Sequence, residues 1–119
     1  MKTITNNYEV EPLHIWNFPA TRPEQQTCLQ GYIEATYTDL IYAFGEPTLP
    51  HGDGYKVQAE WNLLTPNGFA TIYDYKQGDS YNGEGNGIPV TKITGWNIGG
   101  SNKAVVNDII KAFQKSITK

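Results

Sequence analysis

The chain predicts an α+β domain: an antiparallel sheet of four to five strands with two helices, in the order β-α-β-β-β-α after an extended N-terminal arm. Three observations carry that prediction. Tyr55, Val57, Ala59, Trp61 and Leu63 alternate with Lys56, Gln58, Glu60 and Asn62 in an unbroken period of two, the repeat of a half-buried strand. Thr65-Pro66-Asn67-Gly68 has the chemistry of a turn, and residues 69–76 return as a β-rich run, so the two runs form a hairpin. Val105, Val106, Ile109, Ile110 and Phe113 recur at steps of one, three and four, the apolar stripe of an amphipathic helix over about Asn102 to Lys115.

The remaining elements follow in order. Residues 1–30 read as an arm and 31–119 as the core of a single domain spanning 1–119. The arm carries Pro12, Pro19 and Pro23 with Tyr8, Val10, Leu13, Ile15, Trp16 and Phe18, and Leu13 to Trp16 suit an edge strand or an extended segment. Apolar area of that size needs cover, on this domain or on another subunit, which favours a homo-oligomer. Gly31 to Ala35 read as a short strand entering a helix. Thr36 fits the N-cap, with Asp39 standing where a capping box has Glu. Leu40, Ile41 and Phe44 share one side of that helix, Gly45 supplies its stop, and Pro47 prevents continuation. Residues 77–89 hold Gly78, Gly83, Gly85 and Gly87 and read as a flexible loop. Val90 to Ile98 is the next strand, with Thr94-Gly95 marking a bulge or a close backbone approach. Ser101 or Asn102 caps the last helix, and Lys111, Lys115 and Lys119 suit the negative end of its dipole.

Composition removes several function classes. With 119 residues, 18% charged and 13% aromatic, the chain has the balance of a folded domain with one core. Nine Lys and Arg against twelve Asp and Glu leave a formal charge of -3, and Arg22 is the one arginine. A basic stripe for phosphates is lacking, so duplex nucleic acid is not an expected partner. Cys28 is the lone cysteine and cannot close a disulfide within the chain, and no Cys/His spacing suits a metal. No metal and no cofactor is therefore expected. No run approaches the ~20 apolar residues that span a bilayer. Nor does the polar start, Met1 to Asn7, resemble a signal peptide, so a cytoplasmic location is expected, without a membrane partner.

Catalytic sets are weak. Cys28, His14 and His51 lie in no recognisable motif, and Glu34 and Glu60 read best as solvated strand-face carboxylates, so the chain reads as a binder rather than an enzyme. Asn97-Ile98-Gly99-Gly100-Ser101-Asn102-Lys103 places a glycine pair between a strand and a helix. The unpaired N–H groups of a helix start attract anions, Ser101 adds a hydroxyl and Lys103 a charge. The same residues also suit an ordinary capped β-to-α turn. Phe69, Thr71, Tyr73 and Tyr75 share one strand face, and Trp96 lies on the strand leading to the glycines. Such rings stack on bases or simply fill a core. Tyr81, with Asn82 and Asn86, belongs to a glycine-rich loop that can close over a small ligand.

Together, residues 31–37, 44–48, 55–61, 70–76 and 96–100 (Gly31-Tyr32-Ile33-Glu34-Ala35-Thr36-Tyr37 to Trp96-Asn97-Ile98-Gly99-Gly100) resemble a family of small bacteriophage proteins. The nearest characterised group is the first class of Thoeris anti-defence proteins, sponges that sequester immune signals of the cyclic ADP-ribose type and, in some cases, cyclic oligonucleotides. That resemblance implies a counter-defence protein of the infected host's cytoplasm that binds a small nucleotide without turnover, as an oligomer whose subunit contacts shape the pockets. It implies Lys103 as the basic phosphate contact, and Tyr75 and Asn86 as base and ribose contacts. Gly99, Gly100, Ser101, Asn102 and Trp96 complete the expected ligand site. The competing expectation is a protein-binding inhibitor of a bacterial defence effector such as a CRISPR nuclease, using the arm and the aromatic strands. A third is an enzyme acting on a nucleotide with Glu60 or His51 as general base.

Overall fold

The computed structural model describes residues 11–12 and 28–117, and the fold is α+β. Among the described residues five strands form one antiparallel sheet: β1 (Glu11–Pro12), β2 (Cys28–Glu34), β3 (Glu60–Thr65), β4 (Gly68–Tyr73) and β5 (Gly95–Gly100), in the spatial order β1-β3-β4-β5-β2. Three α-helices accompany it, α1 (Tyr37–Phe44), the single turn α2 (Asp79–Asn82) and α3 (Ala104–Ile117), with a 3-10 turn at Val90–Lys92. The rest of the expected arm, including Leu13 to Trp16, lies outside the described residues.

One face of the sheet carries Ile33, Trp61, Leu63, Ala70, Ile72, Trp96 and Ile98, all buried. Leu40 and Phe44 of α1 and Val105, Ile109, Ala112 and Phe113 of α3 close over that face. Each such large side chain contributes roughly 1.5–3 kcal/mol on burial. The two buried tryptophans also fix α1. Trp96 Nε1 donates to the Ala35 carbonyl just before the helix (2.9 Å), and Trp61 Nε1 to the Gly45 carbonyl just after it (2.8 Å). Their rings meet edge to face, with centroids 5.5 Å apart.

Local hydrogen bonds set the limits of the first helix and the hairpin turn. Thr36 Oγ1 accepts from Asp39 N (3.0 Å), and Gly45, at φ 85, donates its N–H to Ile41 O (2.7 Å). In the turn, Thr65 Oγ1 donates to Gly68 O and accepts from Asn67 N. Asn67 is tied to α3 as well, its backbone N–H and its side-chain amide both donating to the Asp108 carboxylate.

Other boundaries differ from expectation. The strand expected from Tyr55 begins at Glu60, because two carboxylates replace the ladder before it. Asp53 Oδ1 accepts from Tyr55 N and Val57 N, and Asp74 Oδ1 accepts from Gln58 N and Ala59 N. Val90 to Lys92 form the 3-10 turn after Pro89, so the next strand starts at Gly95 and runs through the glycine pair. Neither a bulge nor a close backbone approach, the two readings of Thr94-Gly95, occurs at Gly95: the register shift of the β2–β5 pair falls between Leu29 and Gly31, and a Cβ on Gly95 would meet nothing within 4 Å. Residues 77–89 are organised around the Asp79 carboxylate, which accepts from Gly85 N and Gly87 N. Glu60 is not a solvated strand-face residue: it is 2% exposed, on the sheet face opposite the helices.

Among the described residues, no helix is long and apolar enough to cross a membrane.

Candidate functional site

The expected ligand residues fall into two groups. Gly99 and Gly100 are buried in β5, where close packing requires them. A Cβ on Gly99 would lie 2.8 Å from Thr71 Oγ1, and one on Gly100 would lie 2.6 Å from Val105 Cγ2 and 3.0 Å from the Phe69 carbonyl oxygen. Ser101, Asn102 and Lys103 follow as an exposed turn whose polar groups have protein partners. Asn102 Oδ1 accepts from Ala104 N (2.9 Å), Asn102 Nδ2 donates to Asn67 O, and Lys103 Nζ donates to Gln30 O (3.2 Å). Trp96 belongs to the core. Tyr75 and Asn86 lie beyond the far end of β4. Ala70 pairs with Gly100 and Tyr73 with Asn97, so Tyr75 lies two residues past the strand end, and the Tyr73 ring, beside Gly99, stands 6.3 Å from that of Tyr75.

A cleft of ≈ 510 Å³ opens near that far end, at the side of α1. Four segments build it. The 50–58 turn supplies Pro50, His51, Gly54, Tyr55, Val57 and Gln58, α1 supplies Tyr37, α2 supplies Ser80, and the 3-10 turn supplies Val90. The volume lies within the usual range for small-molecule sites, and the mixed apolar and polar lining is of the usual kind.

Each wall is fixed by a local cause. Gly52 and Gly54 take φ of 56 and 77, which turns the chain at His51, and the Asp53 carboxylate then grips Tyr55 N and Val57 N. Burial pushes the Asp53 carboxyl upward, but hydrogen bonds from backbone N–H groups, Val57 foremost, outweigh it and hold its pKa below the ordinary value. Gln58 is anchored through its side-chain amide, which donates to Asp74 Oδ2 and to Ile88 O, both at 3.0 Å. Tyr37 leans on the core, its ring 5.9 Å from Trp61 and stacked at 6.4 Å on Trp96. Burial, and then the charge of Glu46, raise the Tyr37 pKa, so its phenol stays a neutral hydrogen-bond donor.

Aromatic and basic groups continue outward from the cleft. The Tyr55 ring lies 5.3 Å from that of Tyr81, and Lys76 Nζ sits 5.2 Å from the centroids of both Tyr81 and Tyr75. Lys76 is the one non-glycine with positive φ (60) among the described residues. Its N–H donates to Lys56 O (2.7 Å), and its carbonyl accepts from Asn82 Nδ2.

This arrangement offers rings, a neutral phenol and a nearby ammonium, a set suited to holding a planar ligand. No hydrogen bond joins His51 to Ser80 among the described residues, so the nucleophile–base contact of covalent catalysis is not formed between them. Cys28 is exposed at the start of β2, an edge strand among the described residues. A second polar group lies on the sheet face opposite the helices, where Asn62 Oδ1 and Thr71 Oγ1 are buried without a hydrogen bond among the described residues.

In the sequence His51 lies in no recognisable motif and figures only as a general base in the enzyme expectation, Tyr55 and Val90 open strands, and nothing marks Gln58 or Ser80 as ligand residues. The glycines flanking His51 and Asp53 were the available signal for a turn. Nothing in the sequence brings that turn to α1 and α2. Compared with known proteins, the chain matches no family model and no curated protein.

Proposed function

We propose that this chain is a non-catalytic binding protein that holds a small nucleotide-type signal and withdraws it from use, as the resemblance to phage counter-defence sponges implies. The observation that supports the reading best is the cleft walled by Tyr37, His51, Tyr55, Gln58 and Ser80. Its volume suits a mononucleotide or a compact cyclic one, and Tyr55, 51% exposed, presents a ring for stacking. Tyr75, whose ring lies under Lys76 Nζ, stays a candidate base contact in this reading. Release without turnover suits a site with rings and donors rather than a paired nucleophile and base.

Isothermal titration with cyclic ADP-ribose isomers and with cyclic di- and trinucleotides tests the reading. One of them binds, is recovered intact after heat denaturation, and binds about tenfold more weakly to Tyr55→Ala, the loss of one stacked base. No heat with any of them at micromolar protein, or steady conversion of the ligand, would overturn it. Native mass spectrometry of the same sample reads the subunit number and the mass of any ligand retained.

A second reading, an inhibitor that binds a bacterial defence effector such as a CRISPR nuclease, is favoured by a different feature. Leu29 (49% exposed) and Tyr32 (66% exposed) stand out from the edge strand β2. Under that reading, one stoichiometric host protein is recovered with the chain, and Tyr32→Ala releases it.

A further inference from the structure

We infer that the ligand of the cleft is phosphorylated and that Lys76 holds its phosphate, a conclusion that rests on the cleft being the binding site. The carboxylates of Asp53, Asp74 and Asp79, in segments around the cleft, are engaged by amide N–H groups rather than by a lysine. Asp53 accepts from Tyr55 N and Val57 N, Asp74 from Gln58 N, Ala59 N and the Gln58 side chain, and Asp79 from Gly85 N and Gly87 N. Lys76 makes no ion pair among the described residues, although the chain as a whole is acidic, with a formal charge of -3.

The position of Lys76 is fixed at both ends of its peptide unit. The Lys76 N–H to Lys56 O bond sets a second lysine beside it, and Asn82 Nδ2 holds its carbonyl. From there Nζ stands over the Tyr75 and Tyr81 rings, and Tyr81 abuts Tyr55 of the cleft wall. An ammonium over two rings is oriented by their negative faces and keeps its outer N–H donors for an anion. Tyr37, on the α1 side of the cleft, lies within reach of the Glu46 charge. A ligand with a planar ring and a phosphate therefore has one favourable orientation, ring between Tyr37 and Tyr55, phosphate toward Lys76.

Titration with adenosine 5′-monophosphate, adenosine and inorganic phosphate tests this. The wild type binds the nucleotide about tenfold more tightly than the nucleoside, the margin of one charge-assisted contact. Lys76→Met removes that margin, and Lys76→Arg restores most of it. Lys76→Asn, which tolerates positive φ, gives the same loss and separates charge from backbone conformation. Equal binding of nucleotide and nucleoside by the wild type, or a margin that survives both Lys76→Met and Lys76→Asn, overturns the role of Lys76 and leaves the cleft reading standing. Failure of the wild type to bind either compound or any cyclic nucleotide overturns both.

Discussion

At the scale of single residues, the glycine pair shows how one motif admits two physical causes. Gly99-Gly100 ahead of a helix suits an open anion cradle and suits a strand pressed against its neighbours equally well in sequence. The distances from a Cβ on Gly100 to Val105 Cγ2 and to the Phe69 carbonyl show packing at that position. Backbone cannot retreat as a side chain can, so Gly100→Ala is expected to destabilise the fold by about 1–3 kcal/mol, the usual cost of overpacking. A urea melt reads this as a lower midpoint at unchanged slope. An unchanged midpoint would mean that the end of β5 yields freely. Glu60 teaches the complementary lesson. It sits at a polar position of an alternating strand, where sequence expects solvent, yet it is buried with Asn62 on the face opposite the helices, while Leu64 farther along that face is exposed.

At the scale of elements, capping chemistry was legible and ladder length was not. Thr36, Asp39 and Gly45 act within a few residues of one another, so the limits of α1 follow from local hydrogen bonds. The start of β3 depends instead on Asp53 and Asp74, and Asp74 reaches across 16 positions to Gln58. The 77–89 segment was expected to be flexible from its glycines, yet Asp79 gathers two of them by their N–H groups. Those bonds from Gly85 and Gly87 hold the Asp79 pKa below the ordinary 3.8. The folded carboxyl is the more acidic one, so the stability it lends is present above that value and is lost as pH falls through the lowered one. The Gly85 and Gly87 amide proton shifts are expected to titrate together with a midpoint below 3.8. Asp79→Asn abolishes that step, and a midpoint at or above 3.8 contradicts the assignment.

At the scale of the molecule, one core joins every long element. Trp61 and Trp96 lie in adjoining parts of the sheet, touch each other, and hold opposite ends of α1, while Asp108 of α3 grips the hairpin tip at Asn67. Loss of any one element therefore exposes the interior of the others. Unfolding in urea is expected to be a single transition in which near-ultraviolet and far-ultraviolet circular dichroism coincide. Loss of the near-ultraviolet signal at lower urea than the far-ultraviolet one would show that the tryptophan cluster melts before the sheet. The cleft belongs to this scale too, since its walls come from four segments between Tyr37 and Val90 that only the assembled fold brings together.

The sequence by itself determined the α+β class, the hairpin, the caps of α1 and the buried stripe of α3, because each rests on periodicity or on groups a few residues apart. Tertiary structure alone decided that the glycine pair is strand, that Glu60 and Asn62 are buried, and that His51, Tyr55 and Ser80 share a cleft beside Lys76. Those outcomes depend on which distant backbone lies against a residue, and hydrophobic alternation carries no record of that.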